Sequence, residues 1–323
     1  MKLVAARLLL AAVAVGMVLA AAEGFLRWRS SDFEAFGAAQ ELPWIRTSPD
    51  RERTFTVDPR FGFRPRLDGE IYDEYGTQRN EYGLEKPAGR TRVLFMGDSV
   101  TARRTLVDAI SDIYGDERFE YWNAGVESFN TVQEVAFYLE YNAAIAPDHV
   151  VLTFHLNDYE TTPIAFLDDE GRVVVFALNQ PARRIQPWLF EHSWLYRFWL
   201  GRVRMRAGDF AAVAQEVHES LRQLRDVLRE EGIRLTVLVL PLMQRPGKWR
   251  PQERNARLRV LKFLNREGIR HFDLLPPLRK ALERGVPFQE SRGDVFHPSP
   301  EVSKVFAEYL AERALLRDNA SER

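Results

Sequence analysis

Cysteine is absent from all 323 residues, which removes disulfides, thiolate metal sites and a cysteine nucleophile together. No sign of charge dominates. Lys and Arg number 45 against 46 Asp and Glu, a net charge of −1, and no long stretch is purely basic, so nucleic acid is not an expected partner. Neither a Walker loop nor a dinucleotide glycine pattern occurs, and no two histidines stand at metal-binding spacing. No cofactor and no metal are therefore expected. A competing metal reading would gather Asp98, Asp158, Asp294 and His297 around a divalent cation, but no such motif supports it. Internal repeats and low-complexity tracts are also missing. What remains is 46% hydrophobic, 12% aromatic and 28% charged, the composition of a globular body with room for a sizeable core.

One long apolar run is present, at the amino terminus. Leu8 to Ala22 is fifteen residues without a charge, preceded by Lys2 and Arg7. The run extends back to Leu3 if Arg7 reaches toward the headgroups. Residues 1–23 thus read as a signal peptide or a membrane anchor. Ala20 and Ala22 offer small residues for cleavage, and the roughly 20-residue stretch is just long enough to span. Positive charge ahead of the run places the remainder outside the cytoplasm, so the expected location is the outer face of the inner membrane, anchored by a single pass, with secretion after cleavage as the alternative.

Residues 24–89 are polar, aromatic and rich in turn formers such as Asp58-Pro59 and Asp68-Gly69, an extended lead-in with short strands. From about residue 90 apolar strands alternate with amphipathic helices, the pattern of an α/β layer fold. Strands are expected at Val93–Met96, Phe119–Trp122, His149–Phe154 and Leu235–Leu240. Helices are expected at Ala102–Ile113, after a Thr131/Glu134 capping box, at Ala212–Glu230, at Arg257–Asn265, and from Ser299 as cap with Pro300 at the first position. Residues 159–208 break the alternation with Trp188, Trp194, Tyr196, Phe198 and Trp199 in no clean period. This is an insertion that either packs on the body or serves the site. Residues 317–323 read as a flexible tail.

Ser99, in Gly97-Asp98-Ser99, follows a buried-type strand and precedes a helix, the edge of an open α/β sheet where ligands bind. A serine hydroxyl needs a base and a group to orient that base. Asp294 and His297 stand three residues apart just ahead of the last helix, where both can converge on Ser99. Donors for a developing oxyanion lie at two further strand ends, Gly125 in Asn123-Ala124-Gly125 and Asn157 in Asn157-Asp158. Asp98 reads as a helix cap or as a brace of the serine turn.

Over about residues 90–315 these blocks resemble the SGNH (GDSL-like) hydrolase family. The resemblance implies a three-layer α/β/α sandwich with a mainly parallel sheet of flavodoxin-like topology, occupying residues 90–316. It implies Ser99 as nucleophile, His297 as base and Asp294 as orienting acid, with the Ser99 N–H, Gly125 and Asn157 forming the oxyanion hole. The family's third block usually begins with glycine, where this chain has His155, so a narrower pocket is expected there. His155, Trp188 and Trp194 are expected substrate contacts. The function implied is an exported serine esterase that removes an acyl group, acetyl above all, from a small molecule or a cell-surface or exported polysaccharide. An O-acetyltransferase using the same triad and a non-catalytic glycan-binding protein are the alternatives.

Overall fold

The computed structural model describes residues 2–29, 39–41, 54–58, 60–162, 164–167, 173–176, 186–202 and 207–316. The expected tail at 317–323 and part of the insertion lie outside them. Helix α1 (Lys2–Arg29) runs without a break through the apolar segment and past Ala22. At 1.5 Å per residue its 28 residues span about 42 Å. It is long and apolar enough to cross a membrane, and the qualifying window is not buried in the protein.

Short strand β1 (Ala39–Glu41) and the hairpin β2 (Phe55–Asp58) and β3 (Gly62–Pro65) make up the ordered lead-in strands. Phe55, Phe61, Phe63 and Tyr72 bury against Val126, Phe129 and Phe137 of the following domain. The lead-in is therefore packed onto the body by aromatic burial, with each such ring contributing a few kcal/mol.

The central sheet comprises β4 (Thr91–Gly97), β5 (Phe119–Gly125), β6 (His149–Phe154), β9 (Arg234–Val239) and β10 (His271–Asp273) in the order β10-β9-β6-β4-β5, every pairing parallel. Counted along the sheet from β5, that is the 2-1-3-4-5 order of a doubly wound fold. Alternation within a buried strand sends neighbouring side chains to opposite layers. Val93 and Phe95 of β4 join Ile110 of α3 (Thr105–Tyr114), Leu278 of α9 (Leu275–Glu283) and Phe306 of α10 (Pro300–Ala311). Leu94 and Met96 face the other way, into Tyr138 of α4 (Thr131–Glu140), Leu221 and Leu228 of α7 (Ala207–Glu230) and Phe263 of α8 (Pro251–Arg266). The result is the three-layer sandwich with a parallel sheet. At the amino end of the sheet Arg92 and Glu120 form a buried ion pair at 2.7 Å, and Arg92 also donates to the carbonyls of Gly83, Leu84 and Ile145. These bonds offset the desolvation that burial of such a pair costs.

Several boundaries differ from the sequence expectation. The helix expected at Ala102–Ile113 is two helices, α2 (Ser99–Ala102) and α3, separated at Arg104, which takes the left-handed φ of 65°. The cap of α4 is Asn130 paired with Gln133, one residue before the expected Thr131/Glu134 box. The Thr131 hydroxyl instead donates to Asp158. Helix α8 starts at Pro251. Strand β10 is three residues long and α9 opens on Leu275-Pro276-Pro277; so short a strand gives little periodic signal, and prolines that fit a first helical turn read in sequence as breakers. Ser299 caps α10 as expected, accepting from Val302 N at 3.1 Å. Residues 159–208 contribute the antiparallel pair β7 (Ile164–Leu167) and β8 (Val173–Phe176), with β1 on the free side of β8, and helices α5 (Pro187–His192) and α6 (Trp194–Arg202).

Candidate active site

The site forms at the carboxyl ends of β4 and β6, where the connections leave the sheet toward opposite faces. Strand β4 ends at Gly97, where a β-carbon would lie 2.3 Å from Thr101 Oγ1, so only glycine lets α2 turn back this tightly. Asp98 then caps α2, its Oδ1 accepting from Val100 N at 2.9 Å. Ser99 is the first residue of that helix, and its N–H belongs to the donors that a helix leaves without intrahelical partners. A comparable constraint acts on Gly125 at the end of β5. A β-carbon there would stand 2.3 Å from Ala102 N, so this glycine is what allows α2 to lie against β5.

Ser99 Oγ lies 2.8 Å from His297 Nε2, and His297 Nδ1 lies 2.7 Å from Asp294 Oδ2. The other carboxylate oxygen, Asp294 Oδ1, accepts from the backbone N–H groups of Phe296 and His297 at 2.9 and 3.0 Å. Burial alone would raise the Asp294 pKa. The two backbone N–H bonds and the His297 ring outweigh it and hold the carboxyl below its usual value. A carboxylate fixed by three bonds places the imidazole proton on Nδ1, leaving Nε2 to accept the serine proton.

Asn157 sits in the 3-10 turn Leu156–Tyr159 that follows β6. Its Nδ2 donates one hydrogen to Asp98 Oδ2 at 3.2 Å; an amide nitrogen carries two, so the second is available to an oxyanion. Asp98 thus ties the serine turn to the asparagine turn. His155 Nδ1 lies 2.5 Å from Asn157 Oδ1, which fixes the amide so that its NH₂ faces Asp98. His155 is wholly buried, its Nε2 has no partner, and burial lowers its pKa and keeps it neutral. The expectation that it contacts substrate is therefore corrected: a ring with no exposed surface and its Nδ1 committed to Asn157 supports the amide from behind. Phe296, absent from the sequence reading, stands edge-on to His155 at 5.5 Å and is 43% exposed. Its only sequence signal is its position inside Asp294-x-x-His297.

Gly125 also needs correction. Its N–H donates to Asn123 Oδ1 at 2.8 Å and its carbonyl accepts from Tyr72 OH at 2.9 Å, so the strand end is already satisfied internally and holds the lead-in against the site. The loop beyond it passes through Ser128 at the left-handed φ of 63°, a conformation that costs a non-glycine residue about 1 kcal/mol or more. The two tryptophans lie elsewhere. Trp188 on α5 is exposed and stacks on His192, and Trp194 N donates to Glu23 of α1. Of the two, Trp194 is bonded to the end of α1.

Behind the asparagine turn lie two buried acids. Asp158 Oδ2 accepts from His155 N and Thr131 Oγ1, while both oxygens of Glu134 have no partner. Burial first, and the charges of neighbouring carboxylates next, raise both pKa values well above normal. Such groups bind protons more tightly folded than unfolded. Their stabilisation is fully present below about pH 4, the ordinary carboxylate value, and is lost as pH rises through the raised values. Glu134→Gln should flatten that decline by up to about 1.4 kcal/mol per pH unit, the limit for one proton. Urea unfolding of both proteins at pH 5 and 8 checks this; an unchanged slope places the pH dependence elsewhere.

Among the described residues one group, Glu290, Asp294 and His297, brings three metal-type ligands together. Both ring nitrogens of His297 are already committed, and Glu290 is paired with Arg103. Each of the three is thus already engaged within the protein.

No protein-family model matches the chain, and no curated protein is significantly similar to it. Solved structures do match. A catalytic mutant of Axe2, an acetylxylan esterase from Geobacillus stearothermophilus, is 15% identical with a TM-score of 0.45, over 70% of this chain and 95% of that one. LAE5, an alpha/beta hydrolase enzyme from the metagenome of Lake Arreo, is 15% identical with a TM-score of 0.47, over 73% of this chain and 100% of that one. A member of the lipolytic G-D-S-L family from Veillonella parvula is 14% identical with a TM-score of 0.42, over 69% and 97%. At such identities a shared chain path says nothing of substrate.

Proposed function

We propose that this chain is a serine esterase of the SGNH/GDSL type, held by α1 on the extracytoplasmic face of the membrane, that removes a short acyl group, acetyl, from a glycan ester. The observation that carries the chemistry is the unbroken relay from Asp294 through His297 to Ser99, at 2.7 and 2.8 Å. His297 Nε2 takes the Ser99 proton as Oγ attacks the ester carbonyl, and the proton then passes to the departing alcohol as the acyl-serine forms. Water, deprotonated by the same nitrogen, releases the acid and restores the serine. The oxyanion is held by the Ser99 N–H and Asn157 Nδ2. The exposed ring of Phe296, edge-on to His155 behind Asn157, favours a small acyl group.

The reading is tested with p-nitrophenyl esters of increasing chain length and with acetylated oligosaccharides. Fastest release from acetyl esters, without an added sugar acceptor, is expected. Turnover only when a sugar hydroxyl is supplied makes the protein a transferase, and no turnover on any ester removes the reading. Within it, Asn157→Ala should lower kcat by roughly one hundred to one thousandfold with little change in KM, because the second amide hydrogen acts on charge that develops in the transition state. A rise in KM alone reassigns Asn157 to ground-state binding.

A further inference from the structure

The end of α1 is locked to the helical pair α5–α6. Glu23 Oε1 accepts from Trp194 N at 2.9 Å and from Arg27 Nε at 2.8 Å, and its Oε2 accepts from Ser193 Oγ and Leu195 N, both at 2.9 Å. Arg27 also donates to the His192 carbonyl at 2.7 Å. With these bonds the Glu23 side chain caps α6 from a different helix, accepting from the N–H groups of Trp194 and Leu195 at its start. The apolar helix does not leave the protein as a free stalk; its last turns are bonded to the insertion.

Around that lock the surface is aromatic. Trp28, Trp188 and Trp199 are 80%, 66% and 54% exposed, and Leu189 is 36% exposed. Large side chains so exposed are unusual on a protein surface that faces only water, and here they gather where an apolar helix ends. In sequence, the flanking charge is one-sided too. The sequence from 181 to 206 holds six arginines and one acidic residue, Glu191, and Arg27 and Arg29 close α1, in a chain whose net charge is −1. Tryptophan and arginine together at the end of a membrane-length helix match the headgroup layer, where indole rings settle and arginines meet phosphate. Among the described residues, the side-chain hydrogen bonds of Ser99, Asp294 and His297 go to one another and to the Phe296 and His297 backbone.

We propose that α5–α6, with the last turn of α1, forms a docking face for the anionic phospholipid surface of the membrane that α1 enters, so that the catalytic domain is seated on the bilayer through two contacts. The occupant is lipid with a phosphodiester headgroup and net negative charge. The inference rests on retention of α1 in the membrane, and the test separates the two.

The absence of cysteine makes single labels direct. Nitroxides are attached to Leu189→Cys, Trp199→Cys and, as control on α8, Leu258→Cys, which is exposed at 48% in the native protein. The full chain is reconstituted into phosphatidylcholine vesicles with and without phosphatidylglycerol. Collision with oxygen against collision with a water-soluble nickel chelate reports depth. With phosphatidylglycerol, labels at 189 and 199 should show several-fold higher oxygen-to-nickel accessibility than the label at 258, and the excess should fall at least about twofold without it. Equal accessibility at all three sites overturns the docking face, and depth independent of lipid charge overturns the headgroup assignment. Spin–spin broadening at 189 and 199 identifies a second copy as the occupant and also overturns it. Vesicle flotation reads α1 separately: a chain that floats with wet labels is anchored but undocked, and one that does not float loses both claims.

Discussion

Replacing Ser99 by alanine should lower kcat on any accepted ester by about 10⁴ to 10⁶-fold, or roughly 5–8 kcal/mol of transition-state stabilisation. The hydroxyl stands 2.8 Å from the proposed base, where it can form the acyl-enzyme. Stability should hardly change, because the cap of α2 is the side chain of Asp98 and not of Ser99. The serine is only half-buried, and substitutions away from packed or capping positions usually stay within about 0.5 kcal/mol. Turnover measured beside a thermal melt decides the matter. A variant that melts like the native protein and keeps its turnover removes the acyl-serine mechanism. Adding His297→Ala to Ser99→Ala should cost little more, since nucleophile and base act as one unit.

Asp294→Asn should cost about 10⁴-fold in kcat while preserving the shape of the loop. An amide can still accept from the backbone N–H groups of Phe296 and His297 through its oxygen, but it then presents NH₂ to His297 Nδ1. The ring responds by carrying its proton on Nε2, where it can no longer accept from Ser99. A pH signature accompanies the loss. The native carboxyl is held below its usual value, so its contribution to stability is present above about pH 4 and disappears as pH falls through the lowered value. The stability difference between native protein and variant should therefore be level from pH 5 to 7 and shrink below about pH 4. Single-turnover kinetics and denaturant unfolding across that range check both halves. A variant with native turnover shows that Asp294 does not set the tautomer.

The three hydrogen-bonded residues Ser99, His297 and Asp294 each sit at a place that local rules mark. Ser99 follows the apolar run Val93–Met96 of β4, and Asp294 and His297 lie on a short loop before a helix announced by Ser299-Pro300. Strand alternation and the helical steps of α7 likewise identify the layers, since buried parallel strands and amphipathic helices write their environment into residue order. The apolar amino-terminal run is similarly self-evident.

Other features depend on groups brought together from distant parts of the chain. Gly125 looked like an oxyanion donor, yet Asn123 Oδ1 takes its N–H and Tyr72, 53 residues earlier, takes its carbonyl. His155 looked like a rim ligand, yet the packing around β6 buries it behind Asn157. Within the aromatic insertion, the start of α6 is capped by Glu23, some 170 residues away, a partner no local pattern marks. Local sequence determines which residues can be strand, cap, nucleophile or membrane helix, because those properties depend on neighbours a few positions apart. Which donors remain free for an oxyanion, which histidine meets solvent and where the tryptophans face depend on hydrogen bonds and burial between remote segments, and these only the tertiary structure decided.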